Sequence, residues 1–229
     1  MMIRLGVLLT GLIAASAAYA DTFSFMTPTG SSIGGMPVNA AATVVTGSGT
    51  VMITLSDLLA NPTDVGQLIS DFDIVLSTGA MTGTLASQSG QQINVAGDGT
   101  FSVAPGNPTG WQLNSGVMGG IQISALGGGA PDDLIIGPPG PGGVYTNANG
   151  SIAGNGPHNP FINQTGTFVL DVAGVTGTTQ ITSATFSFGT TAGVNIPGVP
   201  TTPVPEPASV MLLASTLGVL VMGLRKRYR

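Results

Sequence analysis

Asp-Phe-Asp-Ile-Val-Leu, at residues 71–76, alternates polar with apolar side chains at every second position. In an extended strand this alternation places the phenylalanine, isoleucine and leucine on one face, and Asp71 and Asp73 on the opposite face. Such a pattern, rich in β-branched and aromatic residues, predicts a half-buried strand. The same period of two recurs at residues 50–55, 167–172 and 182–188.

The region around these segments fits the same kind of fold. Residues 92–103 predict a hairpin, because two alternating segments flank a Gly-Asp-Gly turn centred on Asp98. Many short strands separated by turn residues predict an all-β body over residues 21–196, arranged as an antiparallel β-sandwich or jelly roll. Further strands are predicted at residues 22–26, 80–86, 111–114 and 117–125.

The composition limits the classes of protein to which the chain can belong. Its 229 residues include 36 Gly and 16 Pro but only 7% charged residues. This argues against helical bundles and coiled coils, which need charged helix faces and few helix breakers. An apolar fraction of 42% and a net charge of −5 argue against a disordered chain. The absence of cysteine from the sequence excludes disulfides and thiolate chemistry.

The basic residues are confined to the two ends of the chain. Arg4 lies near the N-terminus and the other four follow residue 224, so residues 21–203 carry nine Asp and no Lys, Arg or Glu. This region therefore cannot form a Schiff base through lysine or clamp a phosphate with arginine. Its carboxylates would repel the phosphate backbone of nucleic acid, so no nucleic-acid partner is expected.

The first twenty residues contain the three parts of a secretory signal peptide. Arg4 precedes an apolar run of about eleven residues, and Ala18 and Ala20 stand where signal peptidase requires small side chains. The apolar run is shorter than the roughly 20 residues that a membrane-spanning helix needs. We therefore expect signal peptidase to remove residues 1–20 during export.

A second apolar segment lies near the C-terminus, at residues 208–224. As a helix it would be about 26 Å long, which is a short but adequate span of the hydrocarbon core of a bilayer. Positive charges that follow such a helix favour the cytoplasmic side, so this segment predicts an inner-membrane anchor with the body outside. The basic tail, residues 225–229, contains Arg225, Lys226, Arg227 and Arg229.

The motif Val-Pro-Glu-Pro-Ala-Ser, at residues 204–209, comes directly before this segment. The motif, the apolar helix and the basic tail, in this order, resemble the PEP-CTERM sorting signal of Gram-negative bacteria. The resemblance covers residues 204–229 only. It implies that exosortase, a membrane-embedded transpeptidase, recognises Pro205, Glu206 and Pro207, cuts the chain near them, and passes the body to the cell surface or extracellular matrix.

Two segments interrupt the strand pattern. Residues 127–160 are rich in Gly, Pro and Asn, but glycine does not recur at every third place as a collagen helix requires. We interpret this segment as a long surface loop. Residues 197–203, rich in Pro and Thr, predict a linker between the body and the sorting signal.

Two carboxylates on one strand face raise the question of a glycosidase, whose catalytic pair lies about 5–10 Å apart. Asp71 and Asp73 would stand about 6.5–7 Å apart along one strand. The simpler interpretation, which we favour, is a solvated outer face. The sequence around the pair shows no apolar pocket that would raise one of the two pKa values.

The remaining chemistry-bearing residues give weaker signals. Asp132 and Asp133 are weak candidates for a calcium site, because the spaced Asp loop of known calcium motifs is missing. No other cofactor is expected. His158 lacks a Gly-x-Ser-x-Gly partner and is predicted to be a hydrogen-bonded loop residue rather than a catalytic base. Trp111 and Tyr145 have rings that could stack on a sugar, although core burial is the expected place for a lone tryptophan.

These features predict an exported, non-enzymatic protein of the cell envelope or extracellular matrix. Its all-β body would have a structural or adhesive role and would associate with exopolysaccharide. Signal peptidase, exosortase and the inner membrane are its expected partners during maturation. The alternative is a secreted carbohydrate-binding or carbohydrate-active module that uses calcium.

Overall fold

The structure, a computed structural model, describes residues 20–127 and 129–201. Within these residues the regular structure is almost entirely β-strand, so the expectation of an all-β body is confirmed. No helix in the described part of the chain has the length and apolar character needed to cross a membrane. The predicted signal peptide (apart from Ala20), the sorting motif, the apolar segment 208–224 and the basic tail lie outside the described residues.

The regular structure of the described residues consists of fifteen strands and three short 3₁₀ turns. The turns are Val65–Gln67, Val117–Gly119 and Gly156–His158. The strands are β1 (Asp21–Met26), β2 (Ser32–Ile33), β3 (Met36–Pro37), β4 (Ala40–Thr46), β5 (Thr50–Asp57), β6 (Ile69–Leu76), β7 (Thr84–Val95), β8 (Phe101–Val103), β9 (Gln112–Ser115), β10 (Ile121–Ser124), β11 (Ile135–Ile136), β12 (Phe161–Asp171), β13 (Ile181–Phe188), β14 (Asn195–Pro197) and β15 (Val199–Pro200).

Thirteen of these strands form one continuous hydrogen-bonded sheet with two parts. In the first part, which we call the large half-sheet, neighbouring strands follow the order β8-β7-β12-β5-β4-β1. In the second part, the small half-sheet, the order is β9-β10-β6-β13-β14. The short strand β11 pairs with β6 and with β12, and it therefore joins the two parts.

The expectation of a purely antiparallel arrangement is wrong at β11. This strand is antiparallel to β6, where Ile135 faces Ile69, but it is parallel to β12, where Ile135 faces Ile162. Parallel neighbours need a long connection, and residues 137–160 provide one between β11 and β12. The sheet is therefore mixed, with one parallel pair among the described strands.

The apolar faces of both half-sheets contribute to one hydrophobic core. Trp111, next to β9, packs on Phe168 of β12 with ring centroids 4.6 Å apart, so a residue beside one half-sheet contacts the other. Burying a large apolar side chain contributes about 1.5–3 kcal/mol. The predicted inward faces are confirmed, and their residues are all buried: Val51, Ile53, Leu55, Phe72, Ile74, Leu76, Phe168, Leu170, Val172, Ala184, Phe186 and Phe188.

The last described residues fasten the two half-sheets together. β14 pairs with β13 of the small half-sheet, and β15 pairs with β1 of the large one, with only Gly198 between them. A Cβ at Gly198 would lie 3.1 Å from the Phe186 ring and 3.3 Å from Phe25, so the chain crosses the seam in close contact with both. Paired strands thus extend into the segment expected to be a linker, residues 197–203. Proline is tolerated there because these strands lie at an edge.

The Gly- and Pro-rich segment 127–160 is not the surface loop that its composition suggests. It contains β11 and several apolar side chains that are part of the core. These apolar residues are interspersed among the glycines and prolines that dominate the composition. Gly137 passes so close to the Leu59 carbonyl oxygen that a Cβ would overlap it, which explains a glycine at this position. The buried side chains of the segment include Leu134, Ile135, Ile136, Tyr145 and Ile152.

The predicted hairpin at residues 92–103 is confirmed by the pairing of β7 with β8, where Val95 faces Phe101. Asp98 stabilises the turn, since its Oδ1 accepts hydrogen bonds from the Thr100 backbone N–H at 3.0 Å and from the Thr100 hydroxyl at 2.6 Å. This local geometry follows the sequence closely because a hairpin turn involves only neighbouring residues.

Candidate functional site

Asp71 and Asp73 lie on β6, on the face of the small half-sheet that points away from Phe72 and the core. The two strands beside β6 place polar residues next to both. Ser124 and Ser187 flank Asp71, and Gln122 and Thr185 flank Asp73. We call these six residues the polar grid, because neighbouring strands are about 4.8 Å apart and alternate residues about 6.5–7 Å apart.

The expectation that this pair is solvated is wrong. The exposed fractions of Asp71 and Asp73 are only 2% and 3%. Alternation in a sequence tells which residues share a face, but it does not tell whether other residues cover that face. Beside the grid, Asn195 Oδ1 of β14 accepts from the Ser187 hydroxyl at 2.6 Å, and Asn195 Nδ2 lies 3.7 Å from the Met118 Sδ of the turn before β10.

Each carboxylate of the pair has one oxygen with a weak hydrogen bond and one without a partner. Asp73 Oδ2 accepts from Gln122 Nε2 at 3.3 Å, and Gln122 Oε1 in turn accepts from Asn114 Nδ2 at 2.9 Å. Asp71 Oδ2 accepts from the Ser70 hydroxyl at 3.5 Å. The Oδ1 atoms of Asp71 and Asp73 are buried without a hydrogen-bond partner among the described residues.

Burial disfavours the charged form of both carboxylates. It raises the pKa of Asp71, an effect partly offset by the neighbouring hydroxyl groups of Ser124 and Ser70. Burial and the nearby charge of Asp71 raise the pKa of Asp73 to about 6, while the hydrogen bond from Gln122 acts in the opposite direction. We expected no surroundings that would raise one of the two pKa values, and this expectation is therefore also wrong.

The three ring residues considered for carbohydrate chemistry do not lie beside Asp71 and Asp73. Trp111 is buried in the core against Phe168, as expected for a lone tryptophan. His158 Nδ1 lies 2.8 Å from the Pro131 carbonyl oxygen, which agrees with the predicted hydrogen-bonded loop histidine. Tyr145 is buried as well, with its hydroxyl donating to the Gly137 carbonyl at 3.0 Å. None of these three rings is arranged as a sugar-stacking platform beside Asp71 and Asp73.

Asp133, one of the weak calcium candidates, is a buried anchor between loops. Its carboxylate accepts hydrogen bonds from Gln92 Nε2 and from the backbone N–H groups of Thr109 (2.9 Å) and Gly110 (3.0 Å). Its carbonyl oxygen accepts from Trp111 Nε1 at 2.8 Å. With both carboxylate oxygens bound to N–H groups, the side chain fixes the loop before β9.

Asp132, the other calcium candidate, is exposed next to this anchor. Partial burial and the adjacent Asp133 raise its pKa. In residues 20–127 and 129–201, no three His, Asp or Glu side chains come together as a set of metal ligands.

Asp57, which the sequence did not single out, is a further buried carboxylate, with an exposed fraction of 1%. Its Oδ1 accepts from the Leu59 backbone N–H at 2.9 Å, and its Oδ2 has no partner among the described residues. Burial raises its pKa well above the ordinary value, and the backbone N–H groups of Leu59 and Gly137 only partly oppose this. The sequence signal that could have indicated this burial is the pair of apolar residues on either side, Leu55 and Leu58.

The outer face of the large half-sheet carries a different polar pattern. Thr54 on β5 faces Thr167 on β12, and their hydroxyl oxygens are 3.3 Å apart. The neighbouring pair Ser56 and Thr165 makes a similar contact at 3.0 Å. The strand registers continue the first pair into a row of five hydroxyl residues across five strands, which we call the hydroxyl row: Ser24, Thr43, Thr54, Thr167 and Ser89.

Comparison of the chain with family models, with curated proteins and with solved structures found no match.

Proposed function

We propose that the chain is an exported, non-enzymatic cell-surface or matrix protein, sorted through a PEP-CTERM signal and processed by exosortase. In this proposal the precursor is held in the inner membrane of a Gram-negative bacterium, with its body in the periplasm. The body is a β-sandwich with a structural or adhesive role, and it associates with exopolysaccharide through the hydroxyl row.

The sorting part of the proposal is supported by the sequence of the two ends. Ala18 and Ala20 suit signal peptidase, and Pro205, Glu206 and Pro207 precede an apolar segment and a basic tail. Two prolines keep a segment extended and reduce its backbone hydrogen bonding, which suits binding in a protease groove.

The sandwich is supported by the packing between the half-sheets. Both contribute apolar inner faces to one core, and the contact between Trp111 and Phe168 brings them face to face. Two antiparallel half-sheets around one core are the arrangement expected of a sandwich.

The single observation that carries the adhesive part is the hydroxyl row. It contains no charged side chain, and residues 21–203 contain no Lys or Arg that would attract an anionic ligand. Adjacent strands repeat at about 4.8 Å, so the row presents evenly spaced hydroxyl groups. Hydroxyl groups both donate and accept hydrogen bonds, as the hydroxyls of a polysaccharide do.

Sorting is tested by fractionation and intact-mass analysis of the full chain in a host with active exosortase and in the same host without it. We expect loss of residues 1–20 in both hosts, and loss of residues 208–229 only with exosortase. Glu206→Ala should keep the chain in the membrane fraction, whereas Pro203→Ala, just outside the motif, should be processed normally. Retention of residues 208–229 in the host with exosortase would refute the sorting proposal.

Adhesion is tested by co-sedimentation of the purified full chain with the exopolysaccharide of its host. Thr54→Val and Thr167→Val together should reduce the bound fraction several-fold, because each removes a hydroxyl without changing side-chain size. Thr190→Val, an exposed threonine outside the row, is the matched control. Equal binding by the double variant and the control would refute this part.

A secreted carbohydrate-active enzyme is the second candidate, and one observation favours it. The pKa of Asp73 is raised to about 6, within the range of a general acid in a glycosidase. This candidate requires release of reducing sugar from exopolysaccharide by the full chain and loss of that activity in Asp73→Asn. The non-enzymatic proposal requires no such release.

A further inference from the structure

The polar grid contains two buried carboxylates whose charge is not balanced by the described part of the chain. Burying a carboxylate without a counter-charge is costly, and buried charges in proteins are paired or coordinate a metal. Lys and Arg occur only at position 4 and after residue 224, outside the described residues. The only histidine, His158, is engaged with the Pro131 carbonyl.

A second observation is independent of the number of acidic residues. The Oδ1 atoms of Asp71 and Asp73 are buried and have no hydrogen-bond partner among the described residues. Asp133 shows the contrast, because the same fold supplies its carboxylate with three N–H donors. The fold satisfies the Asp133 carboxylate fully but leaves one oxygen each of Asp57, Asp71 and Asp73 without a partner among the described residues, and of these three only Asp71 and Asp73 lie together on one strand face.

From these observations we infer that the polar grid binds one calcium ion between Asp71 and Asp73. The inference goes beyond the proposed function and does not depend on it. It also differs from the weak calcium candidates Asp132 and Asp133, which lie in the loop before β11.

The atoms of the polar grid select among cations. Its side chains offer carboxylate, hydroxyl and amide oxygens, but neither imidazole nor thiolate, which zinc prefers. Calcium takes six to eight oxygen ligands at about 2.3–2.6 Å with flexible geometry, and it can bridge carboxylates on alternate residues of a strand. Magnesium requires near-octahedral geometry and keeps several waters, so it fits a covered site poorly.

Neighbouring strands supply further oxygens. The Ser187 hydroxyl donates its hydrogen to Asn195 Oδ1 at 2.6 Å, which leaves its lone pairs available. Ser124, on the other side of Asp71, also bears a hydroxyl oxygen, and both serines are buried beside the pair. A calcium ion here would connect β10, β6 and β13, the three central strands of the small half-sheet.

The test uses the full-length chain, purified in detergent and treated with EDTA at pH 7.5. Thermal unfolding is measured with added CaCl₂ or MgCl₂, and calcium binding by titration calorimetry. We expect one calcium ion per chain and a rise of about 5–10 °C in the unfolding midpoint at calcium concentrations 100 times the Kd. Magnesium at the same concentration should give less than a third of this rise.

Four variants make the test specific. Asp71→Asn and Asp73→Asn keep the side-chain size, remove one negative charge each, and should abolish calorimetric binding and the rise with calcium. Asp171→Asn changes an exposed carboxylate and should behave like the unchanged chain. Asp132→Asn should also retain the rise, which distinguishes the polar grid from the loop candidates.

The variants remain informative even if one of them folds poorly, because binding is also measured on the unchanged chain and on Asp132→Asn. Absence of calcium binding by the unchanged chain would overturn the inference. Binding that survives in both Asp71→Asn and Asp73→Asn, or is lost in Asp132→Asn, would also overturn it. Stabilisation by Asp73→Asn without any response of the unchanged chain to calcium would identify a protonated pair instead.

Discussion

The outer faces of the two half-sheets follow from the same alternation of polar and apolar residues, but one face is exposed and the other is buried. Thr43 and Ser89 in the hydroxyl row are exposed, whereas Asp71 and Ser187 in the polar grid are buried. The difference does not come from the strands, since polar residues alternate with core residues in both. Beside the grid, segments far apart in the sequence meet: Asn195 contacts Ser187 and lies 3.7 Å from Met118. Whether a strand face is covered therefore depends on tertiary contacts, while the face on which a side chain lies depends on the local sequence.

The largest effect is expected from the core that supports both faces. Phe186→Ala removes a buried ring whose centroid lies 4.9 Å from that of Phe72. Cavities of this kind cost about 3–5 kcal/mol, which chemical denaturation of the full chain in detergent would measure. Val103→Ala, a change at an exposed apolar residue, is the control and should cost less than about 1 kcal/mol. A similar loss in both variants would mean that the shared core is not where stability resides.

A carboxylate added to each outer face tests the comparison directly. Ser187→Asp, in EDTA, places a third negative charge beside Asp71 under cover and should lower the free energy of unfolding by about 3 kcal/mol. Ser89→Asp in the exposed hydroxyl row should change it by no more than about 0.5 kcal/mol. Equal effects at the two sites would show that the grid is open to solvent.

The two faces should also differ in their response to pH. The folded-state pKa of Asp73 is raised from 3.8 to about 6, so between these values the folded protein binds more protons than the unfolded chain. Stability in EDTA should therefore decrease as the pH rises from about 4 to about 6, and this contribution should be constant above that range. Asp71, whose pKa is also raised, acts in the same direction.

Urea unfolding at pH 4.5 and pH 7.5 would measure this difference. Asp73→Asn should reduce it, and Asp171→Asn, on the exposed side, should not. Asp57→Asn is a second informative variant, because burial raises the pKa of Asp57 too and adds a decrease of stability with rising pH in the same direction. An unchanged slope in Asp73→Asn would place the titrating group elsewhere.

The smallest effect is expected in the hydroxyl row itself. Thr54→Val removes a hydrogen bond to the partly exposed Thr167, which contributes about 1 kcal/mol or less. Because valine also favours strands, we expect the unfolding midpoint in urea to stay within experimental error. A large destabilisation would mean that the row is a structural seam rather than a surface for ligands.

The sequence predicts local features of this fold well. The inward residues of β5, β6, β12 and β13 follow from the period of two, and the turn at Asp98 follows from its neighbouring glycines. Both kinds of feature depend on residues that are close together in the chain.

Features that depend on distant residues could not be predicted in this way. Burial of Asp71 and Asp73 depends on what covers them, and the role of Asp133 depends on Gln92, which is 41 residues away. The segment 127–160 has the composition of a loop, yet Ile135 pairs between two strands of the sheet. A sequence pattern gives the direction of a side chain but not the identity of its neighbours.

The short link at Gly198 also bears on how the body would respond to mechanical load. Thr201 donates its backbone N–H to the Ser24 carbonyl at 2.8 Å, and β15 runs antiparallel to β1, so the chain leaves the body alongside the strand with which the body begins. Tension applied at Thr201 would break the hydrogen bonds between β15 and β1 one after another rather than all at once. The closing strands β15 and β14 would detach first, while the strands around Phe72 stayed paired.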